Sequence, residues 1–318
     1  MMSGLVPWFF EIVIPYLSIP EIARFESVSK STFEILKIVY KSRRHELLDS
    51  IRTLGDSVND ECIQWIALRE FHCTQLDLSR LRSFTDAGFE TLLAYVAPRL
   101  KKLKLTNYNL NDVTEMLSSD LFELEELVLH EVYIEESYYF TNYHKLHTVI
   151  LDAESIDSSD FVGFPTSLKH LNYRNTKVYF TGINDMSKLE YLDISSCYIG
   201  NDGKYDLSDF KRLTSLTTLC INLYLVEEED EDYITNLLWI PISVKHLTIV
   251  CGNMIDIADV NHLTELESLQ VWIGGGNELL EFRRESGEGN WTPIKGGGEV
   301  AAREESPRPL LISPSFLS

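Results

Sequence analysis

A frame of apolar residues at relative positions 1, 4 and 6 recurs along most of the chain. It reads Leu100-Leu103-Leu105, Leu124-Leu127-Leu129, Leu146-Val149-Leu151 and Leu168-Leu171-Tyr173. It continues as Leu189-Leu192-Ile194, Leu216-Leu219-Ile221, Val244-Leu247-Ile249 and Leu266-Leu269-Val271, and Cys73-Leu76-Leu78 is a weaker first copy. Successive copies begin 21 to 28 residues apart. Alternate side chains of a strand face opposite sides, so positions 4 and 6 point together into a core. Positions 3, 5 and 7 then point outward. A single copy cannot bury its own apolar edge, but stacked copies form one continuous core, which predicts parallel strands, one per repeat. The segments returning from strand to strand read as irregular. Asp112 to Phe122 and Ile234 to Trp239 suggest short helices, and the others suggest extended or turn-rich loops. Six consecutive acidic residues, Glu227 to Asp232, predict a solvated loop because like charges repel, with docking to a basic partner as the alternative.

The period and the L-x-x-L-x-L core resemble leucine-rich repeats. The cleanest copy runs from Leu189 to Ile199 and carries Cys197 where that family places Asn or Cys. Tyr108, Val132, Glu154 and Thr176 occupy the same place in other copies. The resemblance implies an α/β fold, a solenoid over residues 71–273 with its parallel sheet on the concave face, and recognition of a protein on that face. The outward residues are Lys102, Lys104, Glu126, His130, Asp152, His170, Asn172 and Arg174, then Tyr191, Asp193, Asn222, His246, Gln270 and Trp272. Tyr, Trp and Arg are the commonest binding anchors, which singles out Arg174, Tyr191 and Trp272.

Residues 4–40 do not fit the repeat. Ser18-Ile19-Pro20-Glu21 is a capping-box pattern with Pro20 near the first turn, predicting a helix from about Pro20 to Ser29. Trp8 to Leu17 would form a helix before it, distorted at Pro15, and the apolar run from Phe33 to Val39 one after it. This three-helix pattern resembles an F-box, through Val6-Pro7, Ile12, Tyr16-Leu17, Ile19 with Glu21, and Val28-Ser29-Lys30 followed by Phe33. Val6 stands where the family usually has Leu, and Pro15 falls inside the expected first helix. The resemblance implies docking on the Skp-family adaptor of a cullin–RING ubiquitin ligase, while the repeats choose the substrate. By motif match, Val6, Pro7, Ile12, Leu17, Ile19 and Val28 would face or support the adaptor. The other reading is that these helices only cap the solenoid. Residues 41–70 show helical spacing at Leu47-Leu48-Ile51-Leu54 and Ile63-Ile66-Ala67, as expected of a helical linker or N-terminal cap.

Residues 274–318 hold eight of the sixteen glycines together with Pro293, Pro307, Pro309 and Pro314. That composition predicts a largely disordered tail. No polar cap over the last repeat is evident, so the array is expected to end abruptly near Trp272, as it would if the C-terminus were not the natural one.

Composition changes this picture little. Hydrophobic residues at 44% and charged residues at 24% suit a globular chain. The net charge of −21 argues against non-specific binding to nucleic acid or to an anionic membrane surface. The apolar stretch from Leu5 to Pro20 is interrupted by Glu11 and two prolines and falls short of the roughly 20 residues that span a bilayer. Five scattered cysteines form no C-x-x-C pair, which predicts reduced thiols in a cytoplasmic or nuclear protein. Phosphate-loop, nucleophile-elbow and zinc-helix motifs are absent, and His144 with His147 is too sparse a pair for a metal. The sequence therefore predicts a non-catalytic protein without cofactor or metal. It would be the substrate-recognition subunit of a ubiquitin ligase or, alternatively, a repeat scaffold or regulator without that link.

Overall fold

The computed structural model describes residues 60, 74–78, 85–106, 117, 121–130, 137–152, 161–199, 207–223, 237–251, 257–273, 278–284 and 291–295. The F-box-like residues 4–40, the linker 41–70 apart from Asp60, the acidic run 227–232 and residues 296–318 lie outside them. The chain divides into two compact units, Met1–Ile156 with Val162–Leu168, and Asp157–Phe161 with Lys169–Ser318.

The first unit holds β1 (Gln75–Asp77), α1 (Asp86–Val96), β2 (Lys102–Thr106), β3 (Glu126–His130) and β4 (Thr148–Asp152). Its four strands are parallel and in register, so that Leu76, Leu103, Leu127 and Val149 form one row and Leu105, Leu129 and Leu151 the next. All seven are buried. The second unit holds β5 (His170–Val178), β6 (Tyr191–Ile199), β7 (Thr218–Asn222), β8 (His246–Cys251) and β9 (Ser268–Ile273). These too are parallel, with a buried row Leu171-Leu192-Leu219-Leu247-Leu269 and a second row Ile194-Ile221-Ile249-Val271. Positions 4 and 6 of the frame thus supply the core, as the alternation predicts.

One backbone device repeats at the entrances of seven strands, β2 to β4 and β6 to β9. The N–H groups at positions 2 and 3 both donate to the position-2 carbonyl of the preceding repeat: Glu125 and Glu126 to Lys101, Glu190 and Tyr191 to Lys169, Glu267 and Ser268 to Lys245. At three places position 2 also puts a lysine beside a glutamate of the next repeat, Lys101 with Glu125 at 2.7 Å, Lys169 with Glu190 at 2.8 Å and Lys245 with Glu267 at 3.4 Å. The Glu125 partner holds the Lys101 amine above its ordinary range and is itself held below the usual carboxylate range. These pairs are exposed, so they favour correct stacking more than they add stability.

Among the described residues the ends of the returns are more regular than the sequence reading expects. Six 3-10 segments occur there: Ala97–Arg99, Ser137–Asn142, Ile183–Asp185, Leu207–Arg212, Leu237–Trp239 and Ile257–His262. Three residues per turn puts every third side chain on one face. Phe210, Leu213 and Leu216 are accordingly all buried, as are Val260, Leu263 and Leu266. The N–H at position 1 then donates three residues back, from Leu216 to Leu213 and from Leu266 to Leu263. Trp239 lies within the stretch Ile234 to Trp239 read as a short helix, and the described part is 3-10. Of Asp112 to Phe122, Leu117 is helical while Phe122 sits in a turn. Aromatic rings line the returns of the second unit: Phe161 stacks on Phe180, Phe180 meets Phe210 edge-on at 4.8 Å, and Phe210 meets Trp239 at 5.1 Å.

Helix α1 was not anticipated. Phe89, Leu92, Leu93 and Val96, at i, i+3, i+4 and i+7, form its buried stripe. Its start is tied to Asp60, whose carboxylate accepts from the Thr85 N–H at 2.8 Å and the Thr85 hydroxyl at 2.7 Å. Gly88 is buried against that carboxylate, and a Cβ there would collide with it.

The second correction concerns the expected tail. The sheet does not stop at β9: β10 (Glu278–Arg284) pairs antiparallel with β9, and β11 (Trp291–Lys295) antiparallel with β10. Phe282 lies opposite Leu269 and is buried, as is Trp291. The physical reason is that the open edge of β9 must be paired or covered, and an antiparallel strand returning directly from its end does so. Leu280 and Phe282 share one face, a period-2 signal that the glycine content obscured.

Candidate partner-binding face

The outward face of each sheet is built by positions 3 and 5, with position 7 where the strand extends that far. In the first unit, neighbouring strands bring together Lys102 with Glu126, Lys104 with Val128 and Ile150, and His130 with Asp152. Lys102 Nζ lies 2.9 Å from Glu126 Oε2, and His130 Nδ1 lies 3.7 Å from Asp152 Oδ2. Lys104 is exposed, whereas Lys102, Glu126, His130 and Asp152 are half-buried. One lysine–glutamate pair and one histidine–carboxylate contact thus engage four of these residues.

The second unit gathers the rest. His170, Tyr191, Thr218, His246 and Ser268 form one row across the strands. Asn172, Asp193, Cys220, Thr248 and Gln270 form the next, extended by Glu281 on β10. A third row runs Asn222, Val250, Trp272 and Leu279. His170 and His246 are exposed; Asn172, Arg174, Tyr191, Gln270 and Trp272 are half-buried. Asp193 and Asn222 depart from the expectation that outward means accessible, at 3% and 8% exposure. Asp193 takes an outward position but is enclosed by the groups hydrogen-bonded to it.

Asp193 is the organising group. Its Oδ1 accepts from the Ser195 hydroxyl at 2.6 Å and the Ser195 N–H at 3.1 Å. Its Oδ2 accepts from Asn172 Nδ2 at 3.2 Å and, more loosely, from the Tyr191 hydroxyl at 3.4 Å. Asn172 Oδ1 in turn accepts from Arg174 Nε at 3.1 Å. The register explains the local geometry. Asn172 pairs with Asp193 but Arg174 pairs with Ser196, so β6 carries one additional residue over this step. Such a bulge leaves a backbone N–H out of the regular ladder. Here the Ser195 N–H is satisfied by the carboxylate two residues before it.

Burial and the adjacent Asp193 carboxylate push the Tyr191 hydroxyl well above the usual phenol range, so it stays a neutral donor. Burial chiefly, with Asp193 adding to it and a hydrogen bond with Thr248 opposing, pushes the Cys220 thiol up to about 12. A thiol so raised is not a nucleophile at neutral pH. Among the described residues, no group of three potential metal ligands converges, and no helix is long and apolar enough to cross a membrane. What the arrangement can do is hold polar and aromatic groups in fixed positions on an open surface. Ser195, Cys220 and Thr248 escaped sequence reasoning because single hydroxyls and thiols carry no spacing signal. Leu279 and Glu281 escaped it because their strand had been assigned to a tail. Cys197 matches its expected place: it is buried, and its Sγ donates to the Tyr173 carbonyl at 2.9 Å.

In frame, strand register and stacking the repeats have the form of leucine-rich repeats. No family model matches the chain, and no curated protein does. Several solved structures resemble it. An internalin, InlF, from Listeria monocytogenes shares 17% identity with a TM-score of 0.44, over 65% of this chain and 64% of that one. The functional domain of InlJ from Listeria monocytogenes, which includes a cysteine ladder, shares 19% with a TM-score of 0.46, over 67% and 41%. A leucine-rich-repeat protein from Leptospira interrogans shares 15% with a TM-score of 0.40, over 65% and 57%. The chain thus spans less than two thirds of the length of each of these three.

Proposed function

We propose that this chain is the substrate-recognition subunit of a cullin–RING ubiquitin ligase of the SCF type. Its partner protein would bind on the outward sheet face of the second unit, and its N-terminal segment would bind a Skp-family adaptor. The observation that carries the binding half is the Asp193-centred network, which fixes Asn172, Arg174 and Tyr191 in place before any partner arrives. Preorganised side chains lose little entropy on association. The ligase half is supported by the F-box-like pattern from Val6 to Phe33, which stands ahead of the repeats. The chain performs no chemistry in this reading. It raises the effective concentration of the substrate near the ligase.

The test is a pull-down of the full chain with a purified Skp-family adaptor. Adaptor binding by the native chain, abolished in a Leu17→Asp, Val28→Asp double variant that keeps the unfolding midpoint of the native protein, is the expected result. Failure of the folded native chain to bind would leave an interaction scaffold whose first residues serve the repeats alone.

A further inference from the structure

Arg174 is half-buried on the second unit's outward face, and its guanidinium is only partly used. Nε donates to Asn172 Oδ1 at 3.1 Å, and among the described residues the two Nη groups have no hydrogen-bond or ion-pair partner. Arginine carries five donors in a rigid planar fork, and fixing Nε fixes the direction of the other four. The fixing is itself braced, because Asn172 is held by Asp193 at 3.2 Å and Asp193 by Ser195 at 2.6 Å. The additional residue that β6 carries opposite this step turns the Ser195 N–H onto Asp193, so the brace is built into the strand beside Arg174. Tyr191, which shares the Asp193 carboxylate, is packed edge-on against His170 with ring centroids 6.2 Å apart.

We propose that Arg174 anchors a single carboxylate, the side chain of an Asp or Glu on a segment of the partner protein. The inference rests on reading this face as the partner-binding surface. Carboxylate geometry matches the two Nη groups, which have no partner among the described residues, in a side-by-side pair of charge-assisted hydrogen bonds. The charge balance selects a monoanion over a phosphate. Arg174 is one cation, and the buried Asp193 carboxylate stands two hydrogen bonds behind it, which reduces the local positive potential. A dianion normally requires several cations together. Partial burial strengthens the pair relative to one in open water.

The experiment is a selection of phage-displayed random dodecapeptides on the immobilised full chain, repeated on Arg174→Glu. Enriched peptides are then measured on the native chain, on Arg174→Glu, on Arg174→Lys and on Tyr191→Ala, Trp272→Ala. Matching unfolding midpoints certify that the variants are folded. The expected result is a fixed Asp or Glu in the native set, with at least tenfold weaker binding to Arg174→Glu. Arg174→Lys should be intermediate, because it keeps the charge and loses the fork. Selection on Arg174→Glu should replace the acidic position with Lys or Arg. Peptides without a fixed acidic residue, or indifferent to Arg174→Glu, overturn the proposal, and so does an empty selection. Tighter binding when phosphoserine replaces the acidic residue overturns the choice of a monoanion. Peptides indifferent to position 174 but lost on Tyr191→Ala, Trp272→Ala retain the face and remove only the carboxylate. Peptides indifferent to every variant remove the face itself.

Discussion

Asp193 keeps a carboxylate at 3% exposure and, among the described residues, has no cation in direct contact. Four hydrogen bonds from Ser195, Asn172 and Tyr191 take the place of solvent. Removing a buried acceptor leaves its donors unsatisfied, and each such group costs about 1–3 kcal/mol. Asp193→Ala is therefore expected to destabilise the second unit by about 2–4 kcal/mol, since its donors recover only part of their hydration. Asp193→Asn should cost less, about 1–2 kcal/mol, because one oxygen still accepts from Ser195 while the new amide faces two donors. Urea unfolding of the three proteins checks this, and equal midpoints would show that the network is not structural. Period-2 alternation puts Asp193 at an outward position of its strand. Its burial was not legible, because that depends on Asn172 and Tyr191 standing beside it, and Asn172 lies one repeat away.

The strand half of each repeat was readable because its apolar residues recur in a fixed frame, and every copy from Leu103 to Val271 falls on the strand it predicts. The return half was missed although its signal is present. Phe140, Tyr143 and Leu146 precede β4 at steps of three, as Phe210, Leu213 and Leu216 precede β7. A step of three suits neither strand alternation nor the 3.6-residue helix, so a search for those two periods passes over it. Helix α1 carries the ordinary helical stripe, but it lies in one of the longer intervals between copies of the frame, where the strand pattern gives no cue. The returns should matter as much as the strands. Phe210 is wholly buried and touches both Phe180 and Trp239, so Phe210→Ala removes two aromatic contacts and leaves a cavity. The expected loss is about 3–5 kcal/mol, with Phe210→Leu losing less. Denaturant midpoints would read it. A loss below about 1 kcal/mol would mean that the returns are loose and the strands alone hold the stack.

At the scale of the whole molecule, a stack of parallel strands ends in an edge that offers unpaired N–H and C=O groups to any other chain. In the second unit that edge would be β9, and the β10–β11 hairpin pairs with it. Phe282 is buried over the end of the leucine row beside Leu269, and Gln270 Nε2 donates to Glu281 Oε1 at 3.3 Å across the same junction. Beyond the hairpin's first strand, Pro293 lies on β11, where the missing N–H removes one donor from that strand. Composition concealed all of this, because the short alternation of Leu280 and Phe282 stands among glycines and prolines that read as a flexible tail. A chain ending at Ile273 should therefore behave differently from one ending at Lys295, and the comparison isolates the hairpin from whatever follows it. The shorter chain exposes the β9 edge together with the end of the leucine row. It should lose stability and associate as concentration rises, despite the net charge of −21 that opposes self-association in the full chain. Light scattering behind size exclusion, run from micromolar concentrations upward, would read the association. If both truncated chains stay monomeric with the same unfolding midpoint, the hairpin does not protect the edge, and β9 must be stable with its backbone open to water.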